Sequence, residues 1–453
     1  MKVYYKYCLI FLIHLIFDSS QLFASTDNKE DIFQEVFIET EKHKEYLSQL
    51  GLGERAHGIQ VSHFIRPEYT VTDLSIFDRR TTLPSEVLNF DPKEPNTLFM
   101  GNNTVNDPTE LNKILDIRLY PVLRKYIRNE KLEIFLGSCI EMASYYQRRG
   151  LEIILQFTIP SSAVYYLAIS PSGEKVMIMS GLVSRENLIA QLITLKLAEI
   201  PLESIAIIGE VEHFKTLVER DITAICQLDL LKTSDPHILI VAGCGLQEVV
   251  SEIVHSKYSD SINQLSFQGN IIRFRYLSIP TPTKVVKCCV LDLVYGEIME
   301  TIVKRLLDTF SFSSIFSSSA GGYIDNGTKP LPQIGDWISI KKSMNMAGEI
   351  AALTPEKTED IHLQIPSIFM ETFAWLDQAR KIGSSVDVET FYILRAISDF
   401  NENHPQSLLH AHCGYFVSDY VGKKPLRDYS LVYKRYPEVL GNFFEKQIEL
   451  EKK

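Results

Sequence analysis

Three short stretches in the C-terminal half of the chain combine carboxylates, hydroxyls and glycines. Residues 319–322 read SAGG, residues 386–390 read VDVET, and residues 417–419 read VSD. Glycines let a ligand approach the backbone closely. A carboxylic acid can protonate a leaving group, and a carboxylate can stabilise a developing positive charge. We interpret the three stretches as parts of one site for a small polar ligand.

The elements predicted around these stretches alternate between buried strands and helices. Residues 237–242 form a buried-type strand that ends in Gly243-Cys244-Gly245. Another predicted strand, at 313–317, ends in a glycine turn at 320–322. The remaining segments are apolar runs at 270–279 and 284–294, helices at 297–307, 366–381 and 386–396, and a strand at 408–417. This succession predicts an α/β sheet with ligand loops at its strand ends.

Four pieces of residues 237–453, taken in order, resemble the nucleoside phosphorylase and nucleosidase superfamily. Residues 240–245 (IVAGCG) resemble its opening strand and glycine turn, and SAGG followed by Gly335-Asp336 resembles its central block. VDVET resembles its ribose-binding helix start, and VSD its strand-end motif. The resemblance implies a three-layer α/β/α domain with a mixed central sheet.

The resemblance also implies roles for individual side chains. Asp419 corresponds to the general acid that protonates the leaving base, and Glu389 to the carboxylate that binds ribose hydroxyls and stabilises the cationic sugar. From the residues alone, Asp419 could instead be a turn cap, and Glu389 a charge favoured by a helix dipole. The other substrate contacts that the resemblance implies are Val388 (at a position usually held by Met), Ser319, Ala320, Gly321 and Gly245.

A second ISD triplet, at residues 397–399, competes with VSD for the role of the acid. Asp399 lies too close in sequence to Glu389 for a helix and a strand to fit between them. We therefore predict that Asp399 is helical and structural.

The nucleophile is less well marked than the acid. Cys244 stands where phosphorylases often offer a hydroxyl, and Arg273, Arg275 and Arg427 do not form a recognisable phosphate-binding set. Guanidinium groups are the natural bidentate ligands of phosphate, so this departure favours water as the nucleophile. The resemblance places Glu248, or its neighbour Gln247, where a base could position that water.

The sequence thus predicts an exported purine-type nucleosidase that cleaves the N-glycosidic bond of a nucleoside or related compound, with a small-molecule nucleoside or nucleotide as its binding partner. The alternatives are a phosphorylase that uses phosphate, and a non-catalytic binding protein with the same fold. The resemblance implies a homo-oligomer. No cofactor is expected. Alternate residues of 410–413 (HAHC) could share one face of a strand as metal ligands, but core histidines are the favoured interpretation, and no metal site is predicted.

The overall charge and the N-terminus bear on partners and compartment. The 453-residue chain has a formal net charge of −11, which argues against a nucleic-acid groove because such grooves are basic. Residues 1–24 read as a signal peptide, with a basic start and a short apolar run. We predict export to a periplasm or to the outside, with no membrane segment in the mature chain. An uncleaved N-terminal anchor is the alternative.

The region between the signal peptide and residue 234 carries no motif that indicates a function. Helical and strand patterns alternate there, with a hairpin turn at residues 171–173 (PSG) and a helix capped by Ser184. We predict an α+β domain over residues 27–234, with the boundary near residues 233–236. The chain has seven cysteines, and we expect those of the mature protein to be mostly free and buried.

Overall fold

The structure is a computed structural model, and the description below covers the following parts of the chain: residues 23–50, 57–91, 112, 115–159, 163–228, 237–243, 264–280, 285–327, 329–353, 360–406, 408–422 and 430–450. The helices are α1 (Phe23–Gln49), α2 (Ser85–Asn89), α3 (Pro121–Asn129), α4 (Cys139–Arg148), α5 (Arg185–Leu197), α6 (His213–Ile225), α7 (Ile298–Thr309), α8 (Phe373–Ile382), α9 (Thr390–Asn403) and α10 (Ser430–Leu450).

The strands form two sheets, one in each half of the chain. The first half contributes β1 (Gln60–His63), β2 (Lys131–Phe135), β3 (Glu152–Thr158), β4 (Val164–Ile169), β5 (Lys175–Ser180) and β6 (Ala206–Ile208). The second half contributes β7 (His237–Ala242), β8 (Gln264–Gln268), β9 (Arg273–Pro280), β10 (Val285–Asp292), β11 (Phe312–Tyr323), β12 (Trp337–Ser339), β13 (Lys342–Met344), β14 (Ile350–Ala352), β15 (His362–Gln364), β16 (Ser385–Asp387) and β17 (His410–Tyr420).

The first sheet has the strand order β1-β3-β4-β5-β2-β6. The pairs β1–β3, β3–β4 and β4–β5 are antiparallel, whereas β2 is parallel to both β5 and β6. The predicted hairpin joins β4 to β5, and Gly173 takes the left-handed φ of +87° that its turn requires. As predicted, Ser184 caps α5: its hydroxyl accepts the Asn187 N–H at 3.1 Å.

The second sheet has the order β14-β13-β15-β16-β11-β7-β10-β9-β8, and β17 pairs with both β11 and β12. Its centre is parallel: β7 lies between β10 and β11, and every residue of β7 is buried. Such continuous apolar strands are typical of sheets covered on both faces. The mixed α/β class predicted from the sequence is thereby confirmed.

The two sheets share one connectivity. In the first, the antiparallel strands β3, β4 and β5 are followed in the sheet by β2, parallel to β5, and by β6, parallel to β2. In the second, β8, β9 and β10 are antiparallel, β10 is parallel to β7, and β7 is parallel to β11. A helix follows the third antiparallel strand in both, α5 in the first and α7 in the second. The first sheet therefore repeats the core of the second.

The largest hydrophobic cluster joins the two halves of the chain. It contains side chains from both sheets, among them Ile134 on β2 and Leu239 and Val241 on β7. All three are fully buried. One continuous apolar core therefore lies beneath both sheets.

Buried hydrogen bonds also join the two halves. The Asp221 carboxylate on α6 accepts backbone N–H groups from residues 270–272 at 2.7–2.9 Å. Glu186 on α5 accepts the Glu297 N–H at 3.0 Å. These bonds pair backbone donors of one half with buried carboxylates of the other.

Three sequence-based element boundaries are wrong. Residues 320–322 are not a turn, because β11 continues to Tyr323 while it pairs with β17. Val386 and Asp387 belong to β16, and α9 begins only at Thr390. The helix predicted at 366–381 is split into a 3-10 turn (Ile368–Met370) and α8, because Thr372 caps α8 by accepting the Trp375 N–H.

Candidate active site

A cavity of about 1010 Å³ lies where the two halves of the chain meet. Six of the residues predicted for the site line it: Ser319, Ala320, Gly321, Val388, Glu389 and Asp419. The strands β11, β16 and β17 are neighbours in the sheet, which is why residues from three distant stretches converge. Gly245, Gln247 and Glu248 lie outside the described residues, so the predicted base has no described position.

The buried Asp387 organises one wall of the cavity. Its carboxylate accepts the Ser319 hydroxyl at 2.6 Å, the backbone N–H of Thr390 at 3.0 Å, and the Thr390 hydroxyl. His362 Nε2 lies 3.0 Å from Asp387 Oδ1. Burial raises the pKa of Asp387, but His362 and the hydroxyl donors outweigh it and lower that pKa below its usual value. An ionised Asp387 therefore fixes Ser319 and the start of α9.

Glu389 stands at the start of α9, immediately after this hub. Its backbone N–H donates to Asp387 Oδ1 at 3.2 Å, and its side chain makes no capping hydrogen bond to the helix. The side chain is instead part of the cavity lining. Burial, together with the charge of Asp387, raises the pKa of Glu389 well above its usual value. The geometry thus favours a carboxyl presented to a ligand over a helix-capping charge.

Asp419 lies within β17, opposite Gly322 of β11, and is not a turn cap. The Ser418 hydroxyl lies 2.6 Å from Asp419 Oδ1 and 3.1 Å from the Gly321 carbonyl oxygen. Burial raises the pKa of Asp419 to about 6 despite the Ser418 hydrogen bond. Near neutral pH this carboxyl can therefore exchange a proton, as a general acid must.

The glycines of SAGG are required by close packing within the sheet. A Cβ on Gly321 would lie 2.8 Å from Tyr415 Cδ2 and 3.0 Å from the Val386 carbonyl oxygen. A Cβ on Gly322 would lie 2.7 Å from Val421 Cγ2 and 3.2 Å from Asp419 Oδ2. The glycines therefore leave room for β16 and for the Asp419 carboxyl. They are needed for close packing inside a strand and not for a turn.

Several residues of the cavity were not found from the sequence. Glu371 lies between the 3-10 turn and α8, and burial together with the Asp419 charge raises its pKa well above the usual value. Tyr295 donates its hydroxyl to the Pro366 carbonyl at 3.2 Å. Arg118, from a helical turn in the first half, places its guanidinium carbon 4.8 Å from the centre of the Phe369 ring. None of these residues stands in a motif.

Acidic groups outnumber basic groups in the described lining of the cavity. The acids are Asp292, Glu371, Asp387, Glu389 and Asp419, and the bases are Arg118 and Arg273. Of the three arginines considered for phosphate, Arg273 lines the cavity, Arg275 is not among its lining residues, and Arg427 lies outside the described residues. Because the pKa values of Asp419, Glu389 and Glu371 are raised, these carboxyls can ionise as a ligand beside them becomes positive.

Asp399, His410 and His412 do not line the cavity. Asp399 is in α9, as predicted, and pairs on the surface with Lys304 at 3.4 Å. His410 and His412 lie on β17, and within the described ranges no cluster of three or more His, Cys, Asp or Glu side chains could hold a metal ion. Cys139, Cys226, Cys288, Cys289 and Cys413 are free. No helix within the described ranges is long and apolar enough to cross a membrane.

Solved structures of nucleosidases and nucleoside phosphorylases match the chain. An MTAN from Chlamydia trachomatis is 13% identical over 46% of this chain and 98% of its own, with a TM-score of 0.32. A purine nucleoside phosphorylase from Toxoplasma gondii, solved with immucillin-H, is 12% identical over 47% of this chain and 92% of its own, with a TM-score of 0.32. A futalosine hydrolase mutant of Helicobacter pylori is 9% identical over 48% of this chain and 99% of its own, with a TM-score of 0.35.

The matched structures are of the superfamily that the motifs of the sequence resemble. No protein-family model and no curated protein matches the sequence.

Proposed function

We propose that the cavity hydrolyses the N-glycosidic bond of a nucleoside. The observation that carries this proposal is that Asp419, Glu389 and Glu371 line one cavity and that the pKa of each carboxyl is raised by burial. Enzymes that cleave glycosidic bonds commonly use a pair of carboxyls whose pKa values are shifted by their surroundings.

In the proposed reaction the bond between the sugar C1′ and the base nitrogen breaks, and its electron pair leaves with the base. Asp419 gives its proton to that base, so the leaving group departs without a full negative charge. The sugar becomes cationic, which favours the ionised form of Glu389 and makes its stabilisation strongest in the transition state. Water adds to C1′ and releases one proton. Glu248 stays the predicted base for this step.

The ionised Asp387 supports water over phosphate as the nucleophile. It lines the cavity with a lowered pKa, like charges repel in a region of low dielectric, and the described lining has two arginines to offset that charge. Phosphorolysis is therefore the second candidate. In support of it, Arg118 and Arg273 both line the cavity and could together hold an anion.

The proposal is tested by base release from adenosine, inosine and methylthioadenosine, with and without phosphate. We expect release that does not need phosphate, and a decrease of about 10²- to 10⁴-fold in Asp419→Asn. Asp399→Asn is the matched control, since its carboxylate is on the surface of α9, and it should leave the rate unchanged. Binding without release, equal in wild type and Asp419→Asn, would instead favour a non-catalytic nucleoside-binding protein.

Two further expectations stay proposals. We propose that the protein is exported through its first 24 residues, of which residues 1–22 lie outside the described chain. Fractionation of the expressing cells, with the N-terminus of the recovered protein sequenced, tests this, and a full-length chain in the membrane fraction would favour the uncleaved anchor. A homo-oligomer and an N-terminal α+β domain over residues 27–234 likewise rest on the sequence.

A further inference from the structure

One wall of the cavity is built by the first sheet, which contributes no motif. In the register of that sheet Gln156 on β3 is opposite Tyr166 on β4. Thr158 is opposite Val164, and Val164 is opposite Ser180 at the end of β5. Directly opposed residues of antiparallel strands share one face, and all five line the cavity. They therefore form a continuous patch on one face of the first sheet.

The patch is uncharged, and all of its residues except Val164 are polar. We name the polar residues Gln156, Thr158, Tyr166 and Ser180, together with Cys139 at the start of α4, the first-sheet lobe. The lobe offers three hydroxyls, a carboxamide and a thiol. In the first half of the described chain, Arg118 is the one charged residue of the cavity lining, and its guanidinium lies over Phe369 of the second half.

The cavity is larger than a nucleoside requires. A nucleoside has roughly 20 non-hydrogen atoms, and at the ~30 Å³ that a water molecule occupies in the liquid these fill at most about 600 Å³. The cavity measures about 1010 Å³. Because the carboxyls that would hold the sugar and base all lie on the second half, the surplus volume includes the first-sheet lobe.

We propose that the first-sheet lobe binds an uncharged, ring-sized substituent of the substrate, remote from the glycosidic bond. This inference rests on the proposed function for the placement of the nucleoside itself. The lobe has no charged side chain that could pair with a charged substituent, so such a substituent would lose part of its hydration without an ion pair in return. An aromatic ring with a few polar atoms would bury apolar area and retain hydrogen-bond partners.

The test compares matched pairs of adenosine derivatives that differ by one charge. Adenosine carries either a benzyl or a 4-carboxybenzyl group, attached at the 5′ oxygen in one pair and at N6 in the other. Calorimetry on Asp419→Asn, in which hydrolysis does not deplete the ligand, gives each Kd. We expect one benzyl derivative to bind about tenfold or more tightly than adenosine, and its 4-carboxybenzyl partner no better than adenosine. The attachment point that gains affinity identifies the end of the substrate that faces the lobe.

Variants of the lobe make the assignment specific. Gln156→Glu adds one charge at nearly constant shape, and it should weaken the benzyl derivative about tenfold while the Kd of adenosine stays the same. Thr158→Lys should reverse the preference, so that the 4-carboxybenzyl derivative now binds more tightly than the benzyl one. Unchanged adenosine binding shows that each variant is folded.

The outcomes separate this inference from the proposed function. If base is released from adenosine but no benzyl derivative gains affinity in wild type or variants, the lobe assignment is overturned and the hydrolase stands. If no base is released but the benzyl derivative binds more tightly and Gln156→Glu abolishes the gain, the lobe stands and the hydrolase falls. Equal gains from the benzyl and 4-carboxybenzyl groups would also overturn the assignment, because they show no selection against charge.

Discussion

Asp419 and Asp387 are both aspartates beside SAGG, yet their surroundings give them opposite properties. Asp387 accepts several hydrogen bonds from hydroxyl and N–H groups and lies beside His362. These contacts lower its pKa by more than burial raises it. Asp419 has the single Ser418 hydroxyl against the same burial, so its pKa is raised to about 6. One therefore holds the site as a fixed anion, and the other exchanges a proton.

The proton of Asp419 predicts the pH dependence of turnover. Because burial raises its pKa from the ordinary 3.8 to about 6, the acid form is retained up to about pH 6 and is lost above it. We expect kcat for base release to fall about tenfold per pH unit above pH 6. The measurement is a profile of kcat from pH 4.5 to 8.5, with Asp399→Asn as the unchanged control. A kcat that rises through this range would contradict the assignment of Asp419 as the acid.

Asp387→Asn tests the positioning role of the hub. The substitution leaves the Ser319 and Thr390 donors imperfectly paired, and we expect a loss of about 1–3 kcal/mol in the free energy of unfolding at pH 7. Because the pKa of Asp387 is lowered in the folded protein, its contribution is present above about pH 3.8 and is lost as the pH falls below that. Denaturant unfolding at pH 7 and pH 3 measures both effects.

The matched control for Asp387→Asn is Asp377→Asn, because the Asp377 side chain on α8 is 73% exposed. It should change the free energy of unfolding by less than about 0.5 kcal/mol. Equal effects of the two substitutions, or a difference that persists undiminished at pH 3, would refute the role given to Asp387.

At the scale of elements, β11 holds the site together because it is the common neighbour of β7, β16 and β17. Gly321→Ala should therefore harm both stability and turnover, since a Cβ would lie 3.0 Å from the Val386 carbonyl of β16 and overpacking costs about 1–3 kcal/mol. Thermal unfolding and kcat measure the two effects. The control is Gly173→Ala in the β4–β5 turn, where a Cβ would have no neighbour within 4 Å but the positive φ would be strained. It should lower stability without changing kcat. Normal turnover in Gly321→Ala would contradict the packing account.

The sequence predicted which residues meet more accurately than it predicted the elements that carry them. Ser319, Glu389 and Asp419 were found because each stands in a short motif, and they do line one cavity. The glycines of SAGG predict a turn, because glycine inside a strand is unfavourable. The stretch is extended instead because it pairs with β16 and β17, which are distant in sequence. Arg118 and Glu371 could not be predicted as cavity residues. They reach the cavity only through the tertiary fold, which leaves no pattern in the sequence around them.

On the scale of the whole molecule, the buried Asp221 couples the two halves. The substitution Asp221→Ala leaves the N–H groups of Asn270, Ile271 and Ile272 without their carboxylate. The bonds of Ile271 and Ile272 are buried, and each buried donor left unpaired costs about 1–3 kcal/mol. We expect wild type to unfold in one calorimetric transition, since its largest core cluster spans both sheets, and Asp221→Ala to unfold at lower temperature with a broadened or divided transition. Thr223→Ala is the control, because Thr223 is exposed on α6 and its hydroxyl donates to the Glu219 carbonyl of the same helix. Two separate transitions in wild type would show that the halves are not coupled.

The repeated connectivity of the two sheets has a consequence for how such a molecule can change. The carboxyls that would break the bond belong to the second half of the chain, whereas the first-sheet lobe belongs to the repeat in the first half. Substitutions on β3, β4 and β5 can therefore retune which compound is accepted without touching the groups that react. Substrate preference and bond cleavage would thus depend on different halves of the chain. Libraries of variants confined to the first sheet are therefore the natural starting point for changing which compound the protein accepts.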